Sequence, residues 1–127
     1  MTATQSSTLE GYGDANQYEA GNCIDGDTAG IDIYGQLSLC HTNDHTGNDD
    51  ATPWIAVDYG TRVVVERVEL FNRADRFGDR TRNVDVRISD ELPTSGDQMF
   101  SGGTLLGHFA GPGTDGQHII ISGQKLL

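Results

Sequence analysis

Asn83-Val84-Asp85-Val86-Arg87-Ile88-Ser89 alternates polar and apolar residues without a break. This puts Val84, Val86 and Ile88 on one face and Asp85 and Arg87 on the other. A period of two marks a half-buried strand, and β-branched residues suit its pleat. Upstream, Val63 to Phe71 predicts another strand, with Val68 and Leu70 facing one way and Arg67 and Glu69 the other. Trp54-Ile55-Ala56-Val57-Asp58-Tyr59 predicts a shorter one, entered through Pro53 and ended at Gly60. Leu105 to Phe109 and His118 to Ser122 complete the set, on either side of the turn-rich Gly111-Pro112-Gly113-Thr114-Asp115-Gly116. No amphipathic helical period is evident. Short strands at this spacing predict an all-β chain, an antiparallel β-sandwich or jelly roll. Gln124-Lys125-Leu126-Leu127 reads as the opening of one more edge strand, cut short.

The bulk numbers bound the function. At 127 residues the chain is expected to form one domain, large enough to bury roughly two-thirds of its unfolded surface. Its apolar content of 35% implies a thin core ordered by loops, ligands or crosslinks. A net charge of −11 argues against nucleic acid or an anionic membrane as partner. No apolar run approaches ~18 residues, so no membrane-spanning helix is expected. Met1-Thr2-Ala3-Thr4-Gln5 has neither the basic nor the apolar region of a signal peptide. Residues 10–50 are mostly polar loop, and loops of such length in a domain are usually functional.

Within that loop region, Asn22, Asp25 and Asp27 offer side-chain oxygens at close intervals. Folded inward, they would form part of a cage for a hard cation such as calcium, which takes six to eight oxygens, some from the backbone. Asx-turns on a surface loop explain the same residues without a metal. An EF-hand is excluded, since Ala29 and Gln36 stand where it needs ligands. Cys23 and Cys40 form either one disulfide in an oxidising compartment or two buried thiols. His41 and His45 are four apart, but the Thr, Asn, Asp and Gly around them oppose the helix that a zinc pair would need. Each is then a hydrogen-bonding imidazole or a solvated surface residue.

The second constellation is Arg73-Ala74-Asp75-Arg76-Phe77-Gly78-Asp79-Arg80. Two guanidiniums, each a permanently charged planar fork of donors, sit at the end of the Val63–Phe71 run. Converging, they suit a ligand that presents several oxygens in fixed geometry. The alternative is a surface ion-pair cluster with Asp75, Asp79 and Arg76, which adds little stability. No nucleophile elbow and no Walker-type phosphate loop occurs, so no enzyme is expected.

Taken in order, these pieces resemble the F-type lectin (fucolectin) family of discoidin-like, fucose-binding jelly rolls. Ala3-Thr4-Gln5-Ser6-Ser7 looks like its first strand, and Asn22-x-x-Asp25-Gly26-Asp27 like its calcium loop. Pro53-Trp54-Ile55-Ala56-Val57-Asp58 resembles its Pro-Trp strand. Asn72-Arg73-Ala-Asp75-x-x-Gly78-x-Arg80 resembles its sugar-binding motif. The resemblance covers most of residues 3–90.

It implies a non-enzymatic lectin domain that binds fucosylated glycans. Arg73, Arg80 and a histidine would be donors, Asn22, Asp25 and Asp27 would hold a structural calcium, and Asp75 would belong to the site. His45, with 27 residues between it and Arg73, fits the motif with one residue inserted; His41 is its rival. Where family members carry adjacent cysteines against the sugar, this chain has Arg76-Phe77, and Phe77 would stack on an apolar sugar face. Tyr34, Leu9 and Tyr12 are candidates for the pocket of the fucose methyl group. The family's closing strand, with a cysteine for Cys40 and a glutamate for calcium, should follow Leu127. Residues 1–127 therefore read as a single domain lacking that strand, with Cys40 turning to Cys23 instead. Secretion and a multivalent parent protein or oligomer are also implied. The competing expectation is a discoidin-like structural or protein-interaction module without sugar binding.

Overall fold

Val64–Phe71 and His118–Leu126 form the longest antiparallel ladder, and both carry branched apolar residues on the face they bury. The coordinates are a computed structural model that describes residues 1–9, 18–30, 32–33, 36–37, 39–43, 50–93 and 102–126. In chain order the described strands are β1 (Thr2–Gln5), β2 (Asp32–Ile33), β3 (Gln36–Leu37), β4 (Ile55–Asp58), β5 (Val64–Phe71), β6 (Val84–Ile88), β7 (Thr104–Phe109) and β8 (His118–Leu126). The described helical pieces are two 3-10 turns, Ala20–Cys23 and Gly78–Arg80. No described helix is long and apolar enough to cross a membrane. Every ladder is antiparallel: β1 with β4, β2 with β3, β5 with β8 and β6 with β7. The described chain divides into two compact units.

One unit holds residues 28–31, 61–91 and 102–127. Its core is Val65, Leu106, Ile119 and Ile121, flanked by Val63, Val68, Leu70, Val86, Ile88 and Phe109. The inward faces of β5 and β6 match the alternation expected from sequence, with one refinement. Val65 is buried at an odd position, whereas Val68 and Leu70 turn inward at even ones. The β5–β8 register shifts between Val65 and Arg67, and this irregularity absorbs the change of parity. A second shift, between Val86 and Arg87, sets the buried Leu106 out of step on β7.

The chain's last residues correct one expectation. Gln124-Lys125-Leu126 does not open a separate edge strand; it continues β8 beyond Ser122, with Lys125 opposite Val65 and Leu126 opposite Val64. Gly123 obscured this in the sequence, because a glycine between two short apolar runs reads as a break. Here it lies inside the strand, where a side chain would crowd Leu106.

The other unit holds residues 1–27, 32–60 and 92–101. Cys23 and Cys40 are joined by a disulfide. Around it, Gln5 acts as a connector, its amide donating to the carbonyls of Tyr18 (2.9 Å) and His41 (3.3 Å). The Ser6 and Ser7 hydroxyls both donate to Asp50, and Asp50 N–H donates to the carbonyl of Asn43 at 2.9 Å. Burial raises the Asp50 pKa, but the hydrogen bonds from Ser6, Ser7 and Thr52 outweigh it and hold the carboxyl below its ordinary value.

Candidate functional site

The segment after β5 is set by one amide. Asn72, only 9% exposed, donates from Nδ2 to the carbonyls of Gly78 (2.8 Å) and Thr114 (2.9 Å). Its Oδ1 accepts from the Thr81 hydroxyl at 2.7 Å. One side chain thus ties the start of the 72–81 loop to its end and to the turn before β8. Gly78 N–H donates to Asp115 Oδ1 at 2.7 Å, and a Cβ at Gly78 would lie 2.6 Å from the Asp115 backbone. Only glycine allows that approach. Gly116 N–H donates to the Arg73 carbonyl (2.7 Å), and Ala74 N–H to that of Gly30 (2.7 Å). The peptide unit that follows Arg73 is therefore held at both its carbonyl and its N–H.

Arg73 and Asp75 form a bidentate pair, Nε to Oδ1 and Nη2 to Oδ2, each 2.8 Å. Their side chains are 11% and 13% exposed, so this is not the surface cluster weighed from sequence. The hydrogen bond from Arg73 outweighs the effect of burial and lowers the Asp75 pKa to about 2. Asp75 is thus a charged post that fixes the plane of the Arg73 fork. Asp79 lies instead beside Arg82, at 3.7 Å.

Phe77 sits at the centre of the cationic group. The Cζ atoms of Arg73, Arg76 and Arg80 lie 5.6, 4.9 and 4.3 Å from its ring centroid. All three fall within cation–π range. The ring is 42% exposed, and its backbone is left-handed, with φ at 61°. That conformation costs a bulky L-residue about 1–2 kcal/mol, and such strain tends to persist where function holds it. The loop therefore displays one apolar ring rimmed by planar donors. Such a surface can stack on an apolar ligand face while hydrogen-bonding oxygens at its edge.

On the calcium-type loop, Asp27 N–H donates to Asp25 Oδ1 at 2.8 Å, the Asx-turn weighed from sequence, and Gly26 carries the positive φ. Asn22 Nδ2 donates to the Leu39 carbonyl at 3.0 Å, which orients its amide beside the disulfide. Among the described residues no three His, Cys, Asp or Glu side chains group as a metal site. A cation here would draw on two carboxylates, the Asn22 amide oxygen and backbone carbonyls. These are hard oxygen donors of the type calcium accepts.

His41 is half-buried, its Nδ1 bonded to the Thr42 carbonyl and its ring edge-on to Tyr18 at 5.7 Å. His45, Tyr34 and Tyr12 lie outside the described residues, whereas Leu9 N–H donates to the His41 carbonyl at 3.0 Å. Sequence reading placed Asn72 and Gly78 in the motif but did not foresee that Asn72 ties the loop together or that Gly78 rests on Asp115. Asp115 and Thr114 were visible only as members of a turn.

An antiparallel β-sandwich that presents an arginine-rimmed ring on a loop has the form of a scaffold with a loop-borne candidate site. The chain belongs to the family of NedA-like, galactose-binding domains, which it matches over residues 22–105, and it is similar to F-type lectins. It is 33% identical over 94 residues to a fucolectin of Anguilla anguilla, a match taking in 74% of this chain and 54% of that one. It therefore spans about half the length of that relative. The crystal structure of an F-lectin (fucolectin) from Morone saxatilis (striped bass) serum matches with a TM-score of 0.75. That match covers 99% of this chain and 38% of the other at 24% identity, and it fixes the fold as the all-β sandwich expected from sequence.

Proposed function

We propose that this domain is a non-enzymatic lectin that binds carbohydrate, and specifically terminal L-fucose, through Arg73, Arg80 and Phe77. The observation that carries the reading is the exposed Phe77 ring with Arg73 and Arg80 at its rim, Arg73 held rigid by Asp75. Fucose suits this arrangement. Its axial 4-hydroxyl, equatorial 3-hydroxyl and ring oxygen are acceptors for guanidinium donors, and its methyl and C–H face suit an aromatic platform. His45 is the imidazole donor on sequence grounds. Calcium, held by Asn22, Asp25, Asp27 and backbone carbonyls, is structural in this reading. The disulfide fits secretion into an oxidising compartment, and a multivalent parent or oligomer would supply avidity.

Calorimetric titration with L-fucose and D-galactose tests this. A site whose donors are matched to fucose leaves some unpaired on galactose, at roughly 1–3 kcal/mol each. Fucose should therefore bind at least about tenfold more tightly. Equal affinities, or no binding to either sugar by folded protein, would contradict the proposal. The second result would leave a discoidin-like interaction module.

A further inference from the structure

We infer that the preferred ligand is an acidic saccharide, a fucose-type sugar carrying a sulfate ester or a carboxylate, and that Arg76 reads the anion. The inference deepens the lectin reading above and rests on it. Residues 73–82 contain four of the chain's eight basic residues and only two acids, a net +2 in a protein of net −11. Both acids are engaged, Asp75 by Arg73 and Asp79 by Arg82. Asp115, the carboxylate packed against this loop, accepts the Gly78 N–H.

Arg76 differs from its neighbours. It is exposed, and among the described residues no carboxylate lies within ion-pair reach of it. Its guanidinium instead faces the Phe77 ring at 4.9 Å. Arg80 faces the same ring at 4.3 Å. The two cations are then within roughly 9 Å of one another, comparable to the ~8 Å screening length at physiological salt. An anion at the rim of the ring would pair with Arg76, whose guanidinium no described carboxylate reaches. A neutral sugar needs only hydrogen-bond donors, which uncharged side chains also supply. A sulfate or carboxylate, by contrast, matches the guanidinium edge with two parallel charge-assisted bonds.

The test titrates wild-type protein and Arg76→Ala with L-fucose, a sulfated fucoside, and a fucosylated oligosaccharide bearing a sialic acid. Fucose alone tests the lectin reading; the ratio of acidic to neutral affinity tests Arg76. Support is a tenfold or greater preference for either acidic ligand that falls below twofold in Arg76→Ala and weakens with added salt. Whichever acidic ligand shows the preference identifies the anion. Equal affinity for acidic and neutral sugars, or a preference that survives Arg76→Ala, overturns the inference even where fucose binds. Absence of binding to all three overturns both readings.

Discussion

Arg73 and Asp75 face each other through two parallel 2.8 Å hydrogen bonds, and each side chain is almost wholly withdrawn from water. A bidentate pair two residues apart in the chain cannot rotate independently. The carboxylate therefore sets the direction of a guanidinium whose Nη1 edge is turned away from it. Several consequences can be measured.

Asp75 has an ordinary pKa of 3.8, lowered in the folded protein to about 2. A carboxyl with a depressed folded pKa contributes stability that is fully present above its unfolded value and lost as pH falls through the folded one. Urea denaturation should show stability dropping between about pH 4 and pH 2, with up to about 2 kcal/mol of it due to Asp75. In Asp75→Asn that portion of the slope should vanish. An unchanged profile would mean that the pair contributes nothing in solution.

Asn72→Asp puts an acceptor where the amide now donates to the carbonyls of Gly78 and Thr114. The buried Gly78 carbonyl and the part-buried Thr114 carbonyl lose their donor, at up to roughly 1–3 kcal/mol each. The melting temperature should fall by on the order of 10 °C. Asn72→Ser, which keeps a hydroxyl donor, should fall less. Calorimetric scans of both variants decide.

Phe77→Gly separates binding from stability. Glycine removes the left-handed backbone cost but gains about 0.4–1 kcal/mol of unfolded-state entropy, so the two effects nearly cancel. The melting temperature should move by only a few degrees while fucose affinity falls severalfold. Unaltered affinity would show that the ring is no part of the site.

Chelation tests the cation loop. If calcium binds the folded chain at a hundred times its dissociation constant, removing it costs about 2.7 kcal/mol. EDTA should lower the melting temperature, calcium should restore it, and Asp25→Asn with Asp27→Asn should abolish the response. A transition unmoved by EDTA would refute a bound ion.

Much of this was legible in the sequence, and the misses share a cause. The alternation at 83–89 gave β6, and Val63 to Phe71 gave β5, because period-two patterns are local. The inward parity of Val65 was not local: it depends on a register shift against β8. The pairing of residues 124–126 with β5 was hidden for the same reason. Cys23 and Cys40 were correctly suspected of pairing, since two cysteines leave few choices. At the candidate site, the Arg73–Asp75–Phe77–Arg80 spacing pointed to the loop in which the structure gathers three guanidiniums around Phe77. Nothing in the spacing could show that Asn72 reaches Thr114 or that Gly78 rests on Asp115, contacts 42 and 37 residues apart in the chain. The left-handed Phe77 was equally invisible, because aromatic residues carry no preference for that region.

The central claim is that the guanidiniums around Phe77 hold a fucose-type sugar. Calorimetric titration of L-fucose into wild-type, Arg73→Ala and Arg80→Ala protein tests it most directly. Hydrogen bonds from a charged donor contribute about 1.5–3 kcal/mol each. Each variant should therefore bind fucose at least about tenfold more weakly, with its circular dichroism spectrum unchanged. Dissociation constants within twofold of wild type in both variants would contradict the account.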